Sequence, residues 1–148
     1  MNHRCDEIAM TLEKIVEIQR RAVREERREE FCDFGRLTNG EGCGFIECNT
    51  RPIQLFLCCG GPERPWSLPI DREFDGCNIE GCEKSCVFRV ERVQNGTVTV
   101  RALKEKHECK DHRERFEATD SFEIIKLENI TALRCLKDAF VDLCIRNH

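Results

Sequence analysis

Twelve cysteines in 148 residues, no two of them spaced as Cys-x-x-Cys, constrain this chain more than any other feature. They are spread over the whole length, from Cys5 to Cys144. Cysteine this dense usually means a disulfide scaffold in a small secreted domain, or a zinc site in an intracellular one. The opening Met1-Asn-His-Arg-Cys-Asp-Glu has no apolar stretch of the kind that marks a chain for export, so a secreted scaffold is not expected. A zinc ribbon needs paired thiolates two to four residues apart, so that one turn presents two ligands to a tetrahedral ion. The close spacings here are the adjacent Cys58-Cys59, then Cys82 to Cys86, Cys43 to Cys48 and Cys77 to Cys82. A third reading follows: thiols made in a reducing cell and oxidised later, when the protein joins an assembly.

The length suits one domain with a real core, so disulfides are not needed merely to fold. Cysteines surplus to folding are then available for links between chains. A formal net charge of −4 argues against a nucleic-acid binder that works by phosphate neutralisation. No apolar run approaches the roughly 18 residues needed to span a bilayer, so no membrane association is expected.

Residues 6–30 read as one amphipathic helix. Ile8, Leu12, Ile15, Val16, Ile18, Ala22 and Val23 share a broad face at helical spacing, with no Gly or Pro among them. Residues 35–44 turn to Gly, Asn and Thr, and residues 53–59 form a short apolar run ended by Gly60-Gly61-Pro62. Residues 60–69, with three prolines and Trp66, are expected to be irregular. Gln94-Asn95-Gly96 separates two alternating runs, a strong hairpin signal because a type I′ turn needs positive φ at both central residues. Residues 104–115 read as a polar connection, and residues 122–127 alternate as a strand. The stretch 130–144 fits either a helix face of Leu133, Leu136, Phe140 and Leu143, or a strand face of Thr131, Leu133 and Cys135.

No catalytic constellation is present and no enzyme is expected, nor any cofactor. With twelve cysteines none stands out as a nucleophile paired to a base. The best metal candidate is His107-x-Cys109-x-x-His112, a non-standard spacing on a charged loop. Cys86 and Cys135 sit in apolar alternating runs and read as small buried hydrophobes. Cys43, Cys48, Cys77, Cys82 and Cys109 sit in Gly-rich or polar loops and Cys5 precedes the helix, so these six are the candidates for disulfides between subunits. Adjacent Cys58 and Cys59 point to opposite faces of a strand.

Several segments resemble the spore coat protein Y/Z family of spore-forming bacilli. They are the helix with Cys5 before it and residues 15–19 within it, the strand Pro52-Ile-Gln-Leu-Phe, and Val87-Phe-Arg-Val-Glu-Arg-Val. The tail Phe122-Glu-Ile-Ile-Lys-Leu-Glu-Asn-Ile-Thr-Ala-Leu-Arg-Cys-Leu completes the set. The similarity runs over most of the chain in order. It implies a cysteine-rich building block of the outermost spore layers, the crust or the basal layer of the exosporium, which self-assembles into lattices stiffened by disulfides. Relatives carry Cys-Pro-Thr-Gly-Cys after the first helix, where this chain has Cys32-Asp-Phe-Gly35; of the family's crosslinking positions, Cys135 has the direct match.

The expected architecture is α+β: a helical segment, residues 1–34, packed on a mainly antiparallel sheet formed by residues 35–148. The expected function is structural, with copies of itself and other spore coat or exosporium proteins as partners. The alternative from another class is a zinc-binding interaction module built on His107, Cys109 and His112.

Overall fold

The computed structural model describes residues 3–30, 48–58, 64–70, 83–106 and 114–143, with side chains of the first segment described over 7–22. Helix α1 runs His3–Glu30. It starts earlier than the apolar pattern indicates, so the backbone of Cys5 lies inside the helix. Leu12, Ile15 and Val16 are buried on its inner face together with the polar Gln19. Ile18 is 45% exposed. At 3.6 residues per turn it stands about 100° round the helix from the centre of that buried stripe, too far to reach the sheet.

The strands among the described residues are β1 (Ile53–Leu57), β2 (Leu68–Pro69), β3 (Lys84–Ser85), β4 (Phe88–Gln94), β5 (Thr97–Glu105), β6 (Phe116–Lys126) and β7 (Ile130–Cys135), with a 3₁₀ turn at Leu127–Asn129. Five of them form a sheet in the order β6-β5-β4-β1-β7, antiparallel throughout. β2 and β3 make a separate two-stranded ribbon, so Leu68 and Pro69 are regular after all, Pro69 being tolerated at a ribbon with no central strand. The α+β expectation holds: one helix lies on a mainly antiparallel sheet. The β4–β5 turn has Asn95 at φ 50° and Gly96 at φ 78°, the paired left-handed conformation that Asn-Gly favours.

The ambiguous tail is a strand followed by extended chain. β7 pairs with β1 from Ile53↔Cys135 to Leu57↔Ile130, because the second edge of β1 needs a ladder that a helix there would not supply. Beyond it Leu136 N–H donates to Pro52 C=O at 2.8 Å, and Ala139 exchanges hydrogen bonds with Thr50. The chain thus folds back under the other side of the sheet. There Ala139 and Val141 bury against Leu103 and Phe116 in a second, smaller core. The main core lies on the helix side, where Phe88, Val90, Val98, Val100, Ile53 and Leu55 meet Leu12, Ile15 and Val16.

β1 and β4 are in direct register at only one residue pair, Ile53↔Phe88. Two foreign groups complete that seam. Continuing the register would place Arg51 opposite Val90, but Gln19 stands between them. Its Nε2 donates to Val90 C=O at 2.8 Å and its Oε1 accepts from Arg51 N–H at 3.0 Å. At the other end Trp66 N–H donates to Leu55 C=O at 2.7 Å while its indole stacks on Phe88, 4.9 Å between centroids. Replacing Gln19 by Ala strands a buried carbonyl and a part-buried N–H. Urea unfolding of Q19A is therefore expected to show a loss of about 1–3 kcal/mol, against near-zero loss for T11A on the exposed side of α1.

Candidate functional site

Cysteine chemistry and a charged cluster on the face away from α1 are the candidate functional features. Among the described residues no group of three or more His, Cys, Asp or Glu is placed to hold a metal ion. His107, Cys109 and His112 lie outside the described residues, as do Cys43, Cys77, Cys82 and the side chain of Cys5.

Four thiols are described. Cys135 is exposed, and this corrects its expected burial. It keeps the phase of Leu133 and lies opposite the buried Ile53, as the alternation implies. But β7 is an edge strand and Cys135 is its last residue, which leaves it exposed. Cys86 is half-buried, also short of the expected core position. The cause is a local turn: the Ser85 hydroxyl accepts from Val87 N–H at 3.1 Å and donates to Leu103 C=O, so the strand phase is reset before Phe88. Cys86 then meets Gln54, whose Nε2 lies 3.4 Å from its sulfur. Cys48 is half-buried beside Asn49, and Cys58, at the end of β1, is exposed.

Cys135 has a cationic neighbour. Arg51 holds Asp138 with two hydrogen bonds, Nε to Oδ1 at 2.8 Å and Nη2 to Oδ2 at 3.1 Å. That hydrogen bonding pushes the Arg51 guanidinium upward against its partial desolvation, with added attraction from the charge of Asp138 and from Cys135 when it is a thiolate. Both partners are more than a third exposed, so the pair contributes about 0.2–1 kcal/mol at most.

A second cluster sits mid-sheet on the outer face, opposite the main core. Arg89 is buried, its Nη1 2.6 Å from Glu91 Oε2 and its Nε donating to Thr50 Oγ1 at 3.0 Å. Arg101 reaches the other Glu91 oxygen at 3.3 Å and lies over the Phe122 ring, 4.6 Å from its centroid. Burial pushes Arg89 below its ordinary value; Glu91 opposes this and Arg101 adds to it. Since a guanidinium stays protonated, two cations share one carboxylate here. Among the described residues the buried Arg101 Nε has no hydrogen-bond partner. No motif marks this cluster in the sequence, although Arg89 and Glu91 alternate with Phe88 and Val90 and so must occupy the face opposite the main core.

Beside it Phe122 is 43% and Ile124 67% exposed. The alternation over 122–127 correctly marks a strand, but its Phe122 and Ile124 point outward while Ile125 and Leu127 fill the core. Among the described residues no helix is long and apolar enough to cross a membrane.

Two outcomes follow. In the folded, reduced protein a timed alkylation series read by mass spectrometry should label Cys135 well before Cys86; the reverse order would contradict the edge position of β7 and the turn at Ser85. Glu91→Gln leaves two guanidinium groups without their shared counter-charge and is expected to cost about 1.5–3 kcal/mol in thermal or urea unfolding.

Comparison with protein-family models, with curated proteins and with solved structures finds no match to this chain.

Proposed function

We propose that the protein is a structural, self-assembling component of the bacterial spore surface, in the crust, outer coat or exosporium basal layer. It is made in the mother-cell cytoplasm, and its partners are further copies of itself and other coat proteins. The observation that carries most weight is the exposed Cys135 at the end of an edge strand, at the position where the resemblance to the coat protein Y/Z family aligns most directly. An edge strand is where another chain arrives, and a thiol at its end can be brought against a neighbour's thiol.

The order of events follows from the physics. The helix and sheet build an apolar core from Leu12, Phe88, Val100 and their neighbours with no contribution from the sulfur of Cys135. Folding therefore proceeds while the thiol is reduced. Surface contacts then arrange copies in a regular array. Oxidation comes last: two thiols lose two protons and two electrons to an external oxidant and form one bond between subunits. By then the assembly holds the thiols at high effective concentration, so each bond adds to contacts already made.

Size-exclusion chromatography with light scattering, followed by negative-stain microscopy with and without reductant, tests this. Ordered sheets or large symmetric oligomers are expected, with reductant lowering their heat and detergent resistance and leaving the repeat unchanged. A clean monomer at tens of micromolar without reductant, with no arrays by microscopy, overturns the proposal.

A further inference from the structure

The free edge of β6 carries an inference beyond self-assembly in general. β6 is the first strand in the sheet order, paired on one side with β5; among the described residues no strand takes its other side. Its regular stretch is short and bounded. A register shift interrupts the pairing between Arg101↔Phe122 and Leu103↔Ala118, and the 3₁₀ turn begins at Leu127. Between those limits, residues 122–126 form an unbroken ladder.

Parity in the ladder says which backbone groups point outward. Leu127 N–H donates to Gly96 C=O, so Leu127, Ile125 and Glu123 turn their backbone groups toward β5. Phe122, Ile124 and Lys126 therefore turn theirs toward the open side. Their side chains also share one face, with the apolar rings and branches of Phe122 and Ile124 well exposed. Proteins ordinarily blunt such an edge with charges or cover it. Here, on the face that Phe122 and Ile124 share, the charge of Lys126 is confined to one end; the exposed Glu123 lies on the other face.

We propose that this edge pairs with the same edge of a second copy, antiparallel and about a two-fold axis at Ile124. The proposal rests on the self-assembly reading above and names where two copies meet. The stretch is its own complement in that register. Ile124 lies against Ile124 of the second copy, and Phe122 lies against its Lys126, an ammonium beside a ring. Every outward N–H and C=O from Phe122 to Lys126 then gains a ladder partner, which a register shifted by two residues does not achieve. Arg101, already over Phe122, backs the ring from within the subunit. The unfavourable element is Glu123, which meets its own copy on the diagonal of the other face.

The full-length chain in reductant, followed by sedimentation, tests the contact with disulfides out of play. Ile124→Lys is expected to weaken association by about tenfold or more, and Glu123→Gln to strengthen it severalfold, because a like-charge diagonal is removed. Met10→Lys, on the exposed side of α1, should leave it unchanged. Circular dichroism melting checks that I124K is folded. A variant that need not survive a charge is Ile124→Cys. At the axis two copies place their Cα atoms about 5.5 Å apart, within disulfide range. Oxidation followed by trypsin should yield the 116–126 peptide, which holds no native cysteine, linked to itself.

An unchanged I124K, or no self-linked peptide from I124C while the wild type associates, overturns the β6 contact and leaves self-assembly standing. A 116–126 peptide linked to the one carrying Cys135 would put a neighbour's β7 on this edge and overturn the two-fold register. A wild type that stays monomeric with and without reductant overturns both proposals.

Discussion

The Gln19 carboxamide occupies the place of a peptide group in the sheet. It accepts from Arg51 N–H and donates to Val90 C=O, the two groups that an unbroken β1–β4 ladder would join directly. A side-chain amide carries the same donor and acceptor as the backbone, so it can be spliced into a seam that has parted. The rest of the architecture depends on that splice. It fixes the rotation of α1, which sets Leu12, Ile15 and Val16 onto Phe88 and Val90. It also holds the chain at Arg51, two residues before β1 starts, beside which Asp138 and Cys135 are gathered. Trp66 closes the same seam from the other end, so the middle of the sheet is joined by one residue pair and two intruders.

What could be read from the sequence was what short-range physics controls. Asn95-Gly96 announced its turn because few other residue pairs tolerate positive φ twice in succession. The helix was legible from its apolar spacing, but its true inner face turns on Gln19, a polar residue that hydropathy assigns to solvent. Ile18 was misplaced for the complementary reason: it is apolar but lies outside the narrow stripe that the sheet can cover. The thiols failed in the same way. Cys135 has the alternation of a core residue, yet alternation says which face a residue takes and nothing about whether its strand is central or at an edge. Cys86 depended on the Ser85 hydroxyl capturing Val87 N–H, a local bond that leaves no periodic trace. Membership of the Arg89, Glu91 and Arg101 cluster was accessible in principle, since residues alternating with a buried run must share the other face.

The sheet is asymmetric in what its two sides ask of the solvent. The side under α1 is closed by apolar packing. Among the described residues the outer side is closed at one end, where residues 136–143 return beneath Leu103 and Phe116. Its middle is held by a dense polar knot around Arg89, which ties Thr50 and Asn49 to β4 and is too charged to be a continuation of the core. Beyond the knot lie Phe122 and Ile124. A polar, well-connected centre fixes the geometry of the face, and so presents the apolar end as a rigid surface and not as a yielding one.

The position of β1 in the middle of the sheet has a consequence for how the chain is made. β1 leaves the ribosome early, while its two neighbours arrive much later: β4 starts at Phe88 and β7 ends at Cys135. Neither hairpin logic nor local pairing can satisfy β1 in the meantime, and contacts of such long sequence separation form slowly. For most of synthesis the strand waits with both edges bare and with Cys58 at its end. Nascent chains held on the same messenger would be close enough to pair or to cross-link wrongly in that interval. Correct synthesis of this sheet therefore asks that the Cys58 thiol stay unreacted until β4 and β7 have been made.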